Sequence, residues 1–160
     1  MNRRILVCGG RSYGKTQIMR EVLASLAGPD DAPGSDPVTI VHGNAIGADR
    51  YAALIAEELG YRVEPHPANW TRYGRSAGVI RNSEMLTHGE GVVLVIAFPG
   101  GRGTDDMVRQ ALKAGVKVLR VGERHYHMYY PTPHAKWERD PGPSVDSWPL
   151  EHELLGVPKA

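Results

Sequence analysis

The feature that most constrains this chain is an alternation. Short apolar, mostly β-branched runs end in Gly, His or Pro, and stretches whose apolar residues recur at helical spacing lie between them. Residues 5–8 read as a first buried strand, and Ile18, Met19, Val22, Leu23 and Leu26 then follow at helical intervals, with Gly28 placed to close the helix. Strand character returns at 38–41, a helix at 49–59 stops at Gly60, and a short strand covers 61–64. A third helix is expected at 76–87. Residues 92–98 form an uncharged apolar run, as suits a central parallel strand covered on both faces. A helix at 104–114, stopped by Gly115, and a strand at 116–121 complete the pattern. The sum is an α/β chain with a doubly wound, mainly parallel sheet of about five strands.

At 160 residues with 41% hydrophobic content, one core is expected and two ordinary domains are not. The division expected is 1–123 as a ligand-binding domain and 124–160 as an irregular extension. Six of the twelve prolines fall after Glu123, with Trp137, Trp148 and the pair Tyr129 and Tyr130, and no periodicity is visible there. Residues 28–37, rich in Pro, Asp, Gly and Ser, read as a surface loop. A net charge of +1 and interspersed arginines and acids leave no basic stripe, so neither nucleic acid nor membrane is an expected partner. The single cysteine, Cys8, excludes an internal disulfide and fits a reducing cytoplasm.

Function is read from where the glycines fall. Gly9 and Gly10, Gly43 with Gly47, and Gly100, Gly101 and Gly103 each follow an expected strand, so they should share the carboxyl edge of the sheet, where ligands of open α/β folds bind. Pro99 to Thr104, PGGRGT, is the sharpest of these: a glycine turn between the best strand and a helix, with Thr104 suited to cap that helix, makes an anion nest. A tight turn needed only for topology is the plainer alternative. Arg11 and Arg102 are the cations best placed to meet a phosphate. His42 is either a ligand contact and general base or a buried histidine bonded to backbone. Trp70 and Tyr73 either stack on a base or pack in the core. His125, His127 and His134 have no metal-ligand spacing, so no metal is assigned.

Residues 9–16, GGRSYGKT, also match the P-loop pattern GxxxxGK[ST]. Such a loop would use Lys15 and magnesium, but the strands ending at His42-Gly43 and Phe98-Pro99 carry no acid to hold the metal.

The PGGRGT loop resembles the PGGxGT loop of the SLOG superfamily, which includes the LOG phosphoribohydrolases. The set Gly9 to Tyr13 (GGRSY), His42 to Asp49 (HGNAIGAD), Trp70, Tyr73-Gly74, Ala77-Gly78, Arg81-Asn82 and Met85 resembles the YspA-type, YpsA-related branch of bacteria and phages. The match runs in order over about residues 3–122. The resemblance implies a Rossmann-like fold that binds nucleotides or ligands such as ADP-ribose or NAD, as a sensor or, in LOG enzymes, as an N-glycosidic hydrolase. It implies a ligand site drawn from Gly9, Gly10, Arg11, Ser12, Tyr13, His42, Gly43, Asn44, Gly47, Asp49, Arg81, Asn82 and Pro99 through Thr104, with Asp49 on a ribose and no required cofactor. It also implies self-association, because LOG-type proteins are commonly dimers. Where LOG enzymes place a catalytic glutamate, PGGxGTxxE, this chain has Met107, and a thioether does no acid–base chemistry. Catalysis, if present, would fall to Arg81 with Asp49 or Asp106.

Overall fold

In each inner strand, successive side chains point to opposite faces and nearly all are apolar, so both faces need a cover. The structure, a computed structural model that describes residues 2–27, 37–89, 91–123 and 125–131, supplies it with helices on each side. The strands are β1 (Arg3–Cys8), β2 (Val38–His42), β3 (Arg62–Pro65), β4 (Leu94–Ala97), β5 (Val118–Val121) and β6 (Tyr126–Tyr129). The helices are α1 (Thr16–Ala24), α2 (Ala48–Glu58), α3 (Trp70–Tyr73), α4 (Ala77–Thr87) and α5 (Arg102–Lys113). The sheet order is β3-β2-β1-β4-β5-β6. Every pairing is parallel except β5 with β6. This is a Rossmann-like doubly wound sheet, and the strand order reverses between β1 and β4.

Ile5 and Val7 of β1 and Leu94, Ile96 and Phe98 of the β4 segment join Met19, Val22 and Leu23 of α1 and Ala52 and Ile55 of α2 on one face. Leu6, Cys8, Val95 and Ala97 join Met85 and Leu86 of α4 and Met107, Val108 and Ala111 of α5 on the other. Burying a side chain such as Phe98, 1% exposed, contributes about 1.5–3 kcal/mol.

The stops expected at Gly60 and Gly115 are there, with φ of 78° and 82°. Each closes its helix with paired bonds: Gly60 N–H to Glu57 and Tyr61 N–H to Ala56, Gly115 N–H to Leu112 and Val116 N–H to Ala111. Gly28 and most of the 28–37 loop lie outside the described residues, as do Trp137, Trp148 and His134.

The structure departs from the sequence reading in three places. Residues 126–129, expected to be irregular, form the sixth strand, running antiparallel on β5 with Leu119 opposite Met128. Tyr126 is buried and Met128 packs on the core, so edge pairing and two buried contacts prevail over a segment with weak local signal. The third helix is preceded by the short α3 and a 3-10 turn, Gly74–Ser76. Helix α5 begins two residues before Thr104: Gly101 is the N-cap, and Thr104 is buried in the first turn without a capping bond.

Candidate functional site

Because β1, β2 and β4 are parallel, the glycine turns that follow them do meet at one edge. The turns after β1 and β4 bond to each other directly, Gly10 N–H to the Pro99 carbonyl at 2.8 Å. The Gly10 carbonyl in turn accepts Ala48 N–H at 3.1 Å, tying in the start of α2. These contacts leave no room for side chains. A Cβ on Gly9 would lie 2.6 Å from that of Ala48, one on Gly10 2.9 Å from the Pro99 carbonyl, and one on Gly100 would collide with the Thr104 hydroxyl. Gly47, at φ 83°, would drive a Cβ into the carbonyls of Arg11 and Gly10. Gly101 and Gly103 differ: nothing lies within 4 Å of a Cβ built on either. They open α5, whose first N–H groups have no partner inside the helix.

Asp49, 6% exposed, folds back over the 43–47 loop. Its Oδ2 accepts N–H from Gly43 at 3.0 Å and from Ala45 at 3.3 Å. Burial pushes its carboxyl up to about 6, although those two bonds and the nearby Arg81 charge pull the other way. Its Oδ1 has no hydrogen-bond partner among the described residues. Arg81, from α4, lies flat against Gly43, where any Cβ would strike its guanidinium. Its Nη1 donates to the Gly43 carbonyl at 2.5 Å and to His66 at 3.4 Å, and its Nε to Asn82 at 3.2 Å. The Nη2 group makes no protein bond among the described residues. Burial lowers the Arg81 pKa; the Asp49 carboxylate opposes that effect, and the charge of Arg11 adds to it. Arg11 itself is exposed on the β1 turn and forms no ion pair among the described residues. Two guanidiniums thus stand within electrostatic reach of each other, Arg11 on the turn after β1 and Arg81 against the turn after β2.

Asp106 and Asn82 are bound elsewhere. Asn82 donates to Asp106 at 3.0 Å and to the Gly103 carbonyl at 3.3 Å, while Gln110 and Arg109 reach the same carboxylate at 2.8 and 2.7 Å. The group clamps α4 to α5. Met107 is 0% exposed in the apolar cluster beneath.

His42 is 2% exposed, and its Nδ1 accepts the N–H of Asn44, which adopts φ 56°. That bond fixes the proton on Nε2, which is buried without a partner. Burial, together with the charges of His66 and Arg81, drops the His42 pKa to about 4. The plainer expectation, a buried histidine bonded to backbone, describes its geometry. Tyr13 is buried and stacks on Phe98 at 5.4 Å; burial and the charge of Glu123 push its hydroxyl up to about 12. Ser12, Arg102 and Lys15 are exposed. The Thr16 N–H, which a P-loop would turn towards phosphate, donates to Gly14 at 2.8 Å. Burial raises the Cys8 thiol well above its ordinary range, which leaves it unreactive.

The glycine pattern gave no sign of a second feature. A cleft of about 230 Å³ opens beside Arg81, lined by Pro67, Asn69, Tyr73, Ile80 and Glu84 among others. Ala77, Ile80, Arg81 and Glu84 are spaced i, i+3, i+4, i+7, one face of α4. That spacing was readable, but the partner wall rests on α3, too short to announce itself. Trp70, which opens α3, is 52% exposed rather than packed in the core.

The family model for the YspA, cpYpsA-related SLOG family matches residues 3–73. The Gene 61 protein of Mycobacterium phage D29 is 38% identical over 132 residues, which covers 76% of this chain and 98% of that protein. The chain belongs to the YspA, cpYpsA-related SLOG family. The matched region spans β1 to α3 and so carries the Gly9-Gly10 turn, the Asp49 loop and α2. The PGGRGT turn and Arg81 lie beyond it. SLOG membership carries a nucleotide-related binding or processing role. Among the described residues no helix is long and apolar enough to cross a membrane.

Proposed function

We propose that this SLOG protein binds the phosphate of a nucleotide-type ligand, such as a nucleoside phosphate, ADP-ribose or NAD, as a binding or sensing module. The phosphate sits between Arg11, Arg81 and the N-terminus of α5. The observation that carries this reading is two cations facing one edge with a single carboxylate, Asp49, between them: among the described residues Arg11 makes no ion pair and Arg81 keeps Nη2 free, beside glycines at 101 and 103 that face open space. An anion relieves the mutual repulsion and receives the free N–H groups of the helix start. No metal is required, since guanidinium and backbone donors supply the positive charge.

The test is thermal unfolding with a panel of nucleoside phosphates, ADP-ribose and NAD. A bound panel member at a hundredfold excess over its Kd raises stability by about 2.7 kcal/mol. The shift disappears in Arg11→Ala and in Gly101→Asp. Aspartate at an N-cap favours the helix, so Gly101→Asp keeps the fold while placing negative charge where the phosphate would sit. An unchanged melting temperature across the panel would sink the proposal.

A second reading, N-glycosidic hydrolysis, has one observation in its favour: Asp49, its carboxyl raised to about 6 and its Oδ1 without a partner among the described residues, lies beside Arg81. It requires free base to be released from a nucleoside monophosphate, and release to be lost in Asp49→Asn.

A further inference from the structure

We infer that the cleft beside Arg81 holds the nucleobase of the ligand and selects a base that bears an amino group. This rests on the phosphate reading above and extends it to the other end of the ligand. Arg81 is the link, because it lines the cleft and is also within electrostatic reach of Arg11. At about 230 Å³ the cleft is smaller than the ~300–1,000 Å³ that encloses a drug-sized ligand. It therefore suits one ring system, with the sugar and phosphate continuing past Arg81 towards α5.

The lining fits a flat heterocycle. Ile80 and Pro67 give apolar surface, and the half-buried Tyr73 contributes a ring, with the Arg72 guanidinium 5.1 Å from its centre. Besides the two guanidiniums, two polar side chains line the cleft. The Glu84 carboxylate has no partner among the described residues, and a carboxylate only accepts hydrogen bonds. Asn69 uses Oδ1 to accept the Arg72 N–H at 3.0 Å, which leaves its amide N–H₂ as a donor. The cleft also carries the Arg72 and Arg81 guanidiniums, which only donate, so the Glu84 carboxylate is the group left to accept from an amino group on a base edge, as in adenine, guanine and cytosine.

The experiment is titration calorimetry of the full chain with AMP, GMP, CMP, purine riboside 5′-monophosphate, which lacks the amine, and ribose 5-phosphate, which lacks the base. The best amino nucleotide binds at least about tenfold tighter than ribose 5-phosphate, the stacking contribution of one base. Tyr73→Ala removes that advantage and leaves ribose 5-phosphate affinity unchanged. Glu84→Leu, which has no acceptor, brings the amino nucleotide and purine riboside 5′-monophosphate to equal affinity. Both side chains are at least partly exposed, and each variant's melting temperature without ligand reports its folding. Equal binding of ribose 5-phosphate and the nucleotides by the wild type, or variants that keep the wild-type ranking, would overturn the base cleft and leave the phosphate site standing. Failure of every probe to bind would defeat the phosphate reading itself, and this one with it.

Discussion

Gly100 and Gly101 are neighbours in one turn, yet they answer to different demands. Gly100 belongs to the joint between the ends of β1 and β4, where a Cβ would collide with Thr104 and stand 2.8 Å from Gly10 N. Gly101 begins the open rim at the start of α5, where a Cβ would touch nothing within 4 Å. The comparison separates glycines kept by packing from glycines whose bareness only an incoming molecule would use. The sharpest way to break it is substitution within the joint. Gly47→Ala combines a φ of 83° with overlap onto two carbonyls, and Gly100→Ala overlaps Thr104. Each is expected to cost about 2–4 kcal/mol and to lower Tm by roughly 5–15 °C in thermal unfolding. A loss under 0.5 kcal/mol for both would show that the joint relaxes freely and that the distinction has no energetic content.

The same contrast explains how far the sequence could be read. Strand and helix patterns located β1 to β5, α1 and the three longer helices; the helices were legible because in each the buried face is continuous, as with Met107, Val108 and Ala111 of α5 or Ala52, Ile55 and Ala56 of α2. Strand β6 was not legible, since Tyr-His-Met-Tyr has no clear alternation and exists as a strand only because β5 offers an edge. Within the site, sequence located the turns but not the division of labour among them. Motif spacing treats Gly10 and Gly103 alike, whereas three-dimensional contact does not. Asp106, a candidate acid on adjacency to the LOG glutamate position, has its carboxylate engaged by Arg109 and Gln110 at helical spacing and by Asn82 from α4, the one partner that no local window reaches.

The joint also holds two titrating groups with opposite habits, and they offer a second test. Asp49 has its carboxyl raised from 3.8 to about 6, so the native state binds the proton more tightly than the unfolded chain does. Its stabilising effect is complete below pH 3.8 and is lost as pH rises through 6, at most about 3 kcal/mol. His42 is lowered from 6.5 to about 4, so its contribution is present above 6.5 and is lost as pH falls towards 4. Between pH 4 and 6 the two slopes oppose each other. Urea titrations at pH 4, 5 and 6 should therefore show Asp49→Asn gaining stability more steeply with rising pH than the wild type. His42→Gln should gain less steeply, or lose stability. Glu64, held below its ordinary range because Arg4 and His66 outweigh its burial, adds the same rising slope to all three proteins. Identical pH slopes in wild type and both variants would mean that neither group titrates from within the joint.

The smallest expected effect is the most telling about the rim. Gly103 lies in the first turn of α5 with space around it, and Ala in a helix interior is favoured over Gly by up to about 1 kcal/mol. If packing is the only demand at this position, Gly103→Ala is a small improvement in every respect, with unchanged ligand binding. If the rim is where a phosphate approaches the backbone, the methyl group stands in its path. The variant then unfolds at a slightly higher temperature than the wild type and yet binds nucleotide more weakly. Paired measurement of apo melting temperature and nucleotide Kd separates the two. A gain in stability with a loss of affinity fits a glycine retained for the ligand, whereas a gain in stability with full affinity would return Gly103 to the status of an ordinary helix residue and move the anion nearer to Arg11 and Arg81.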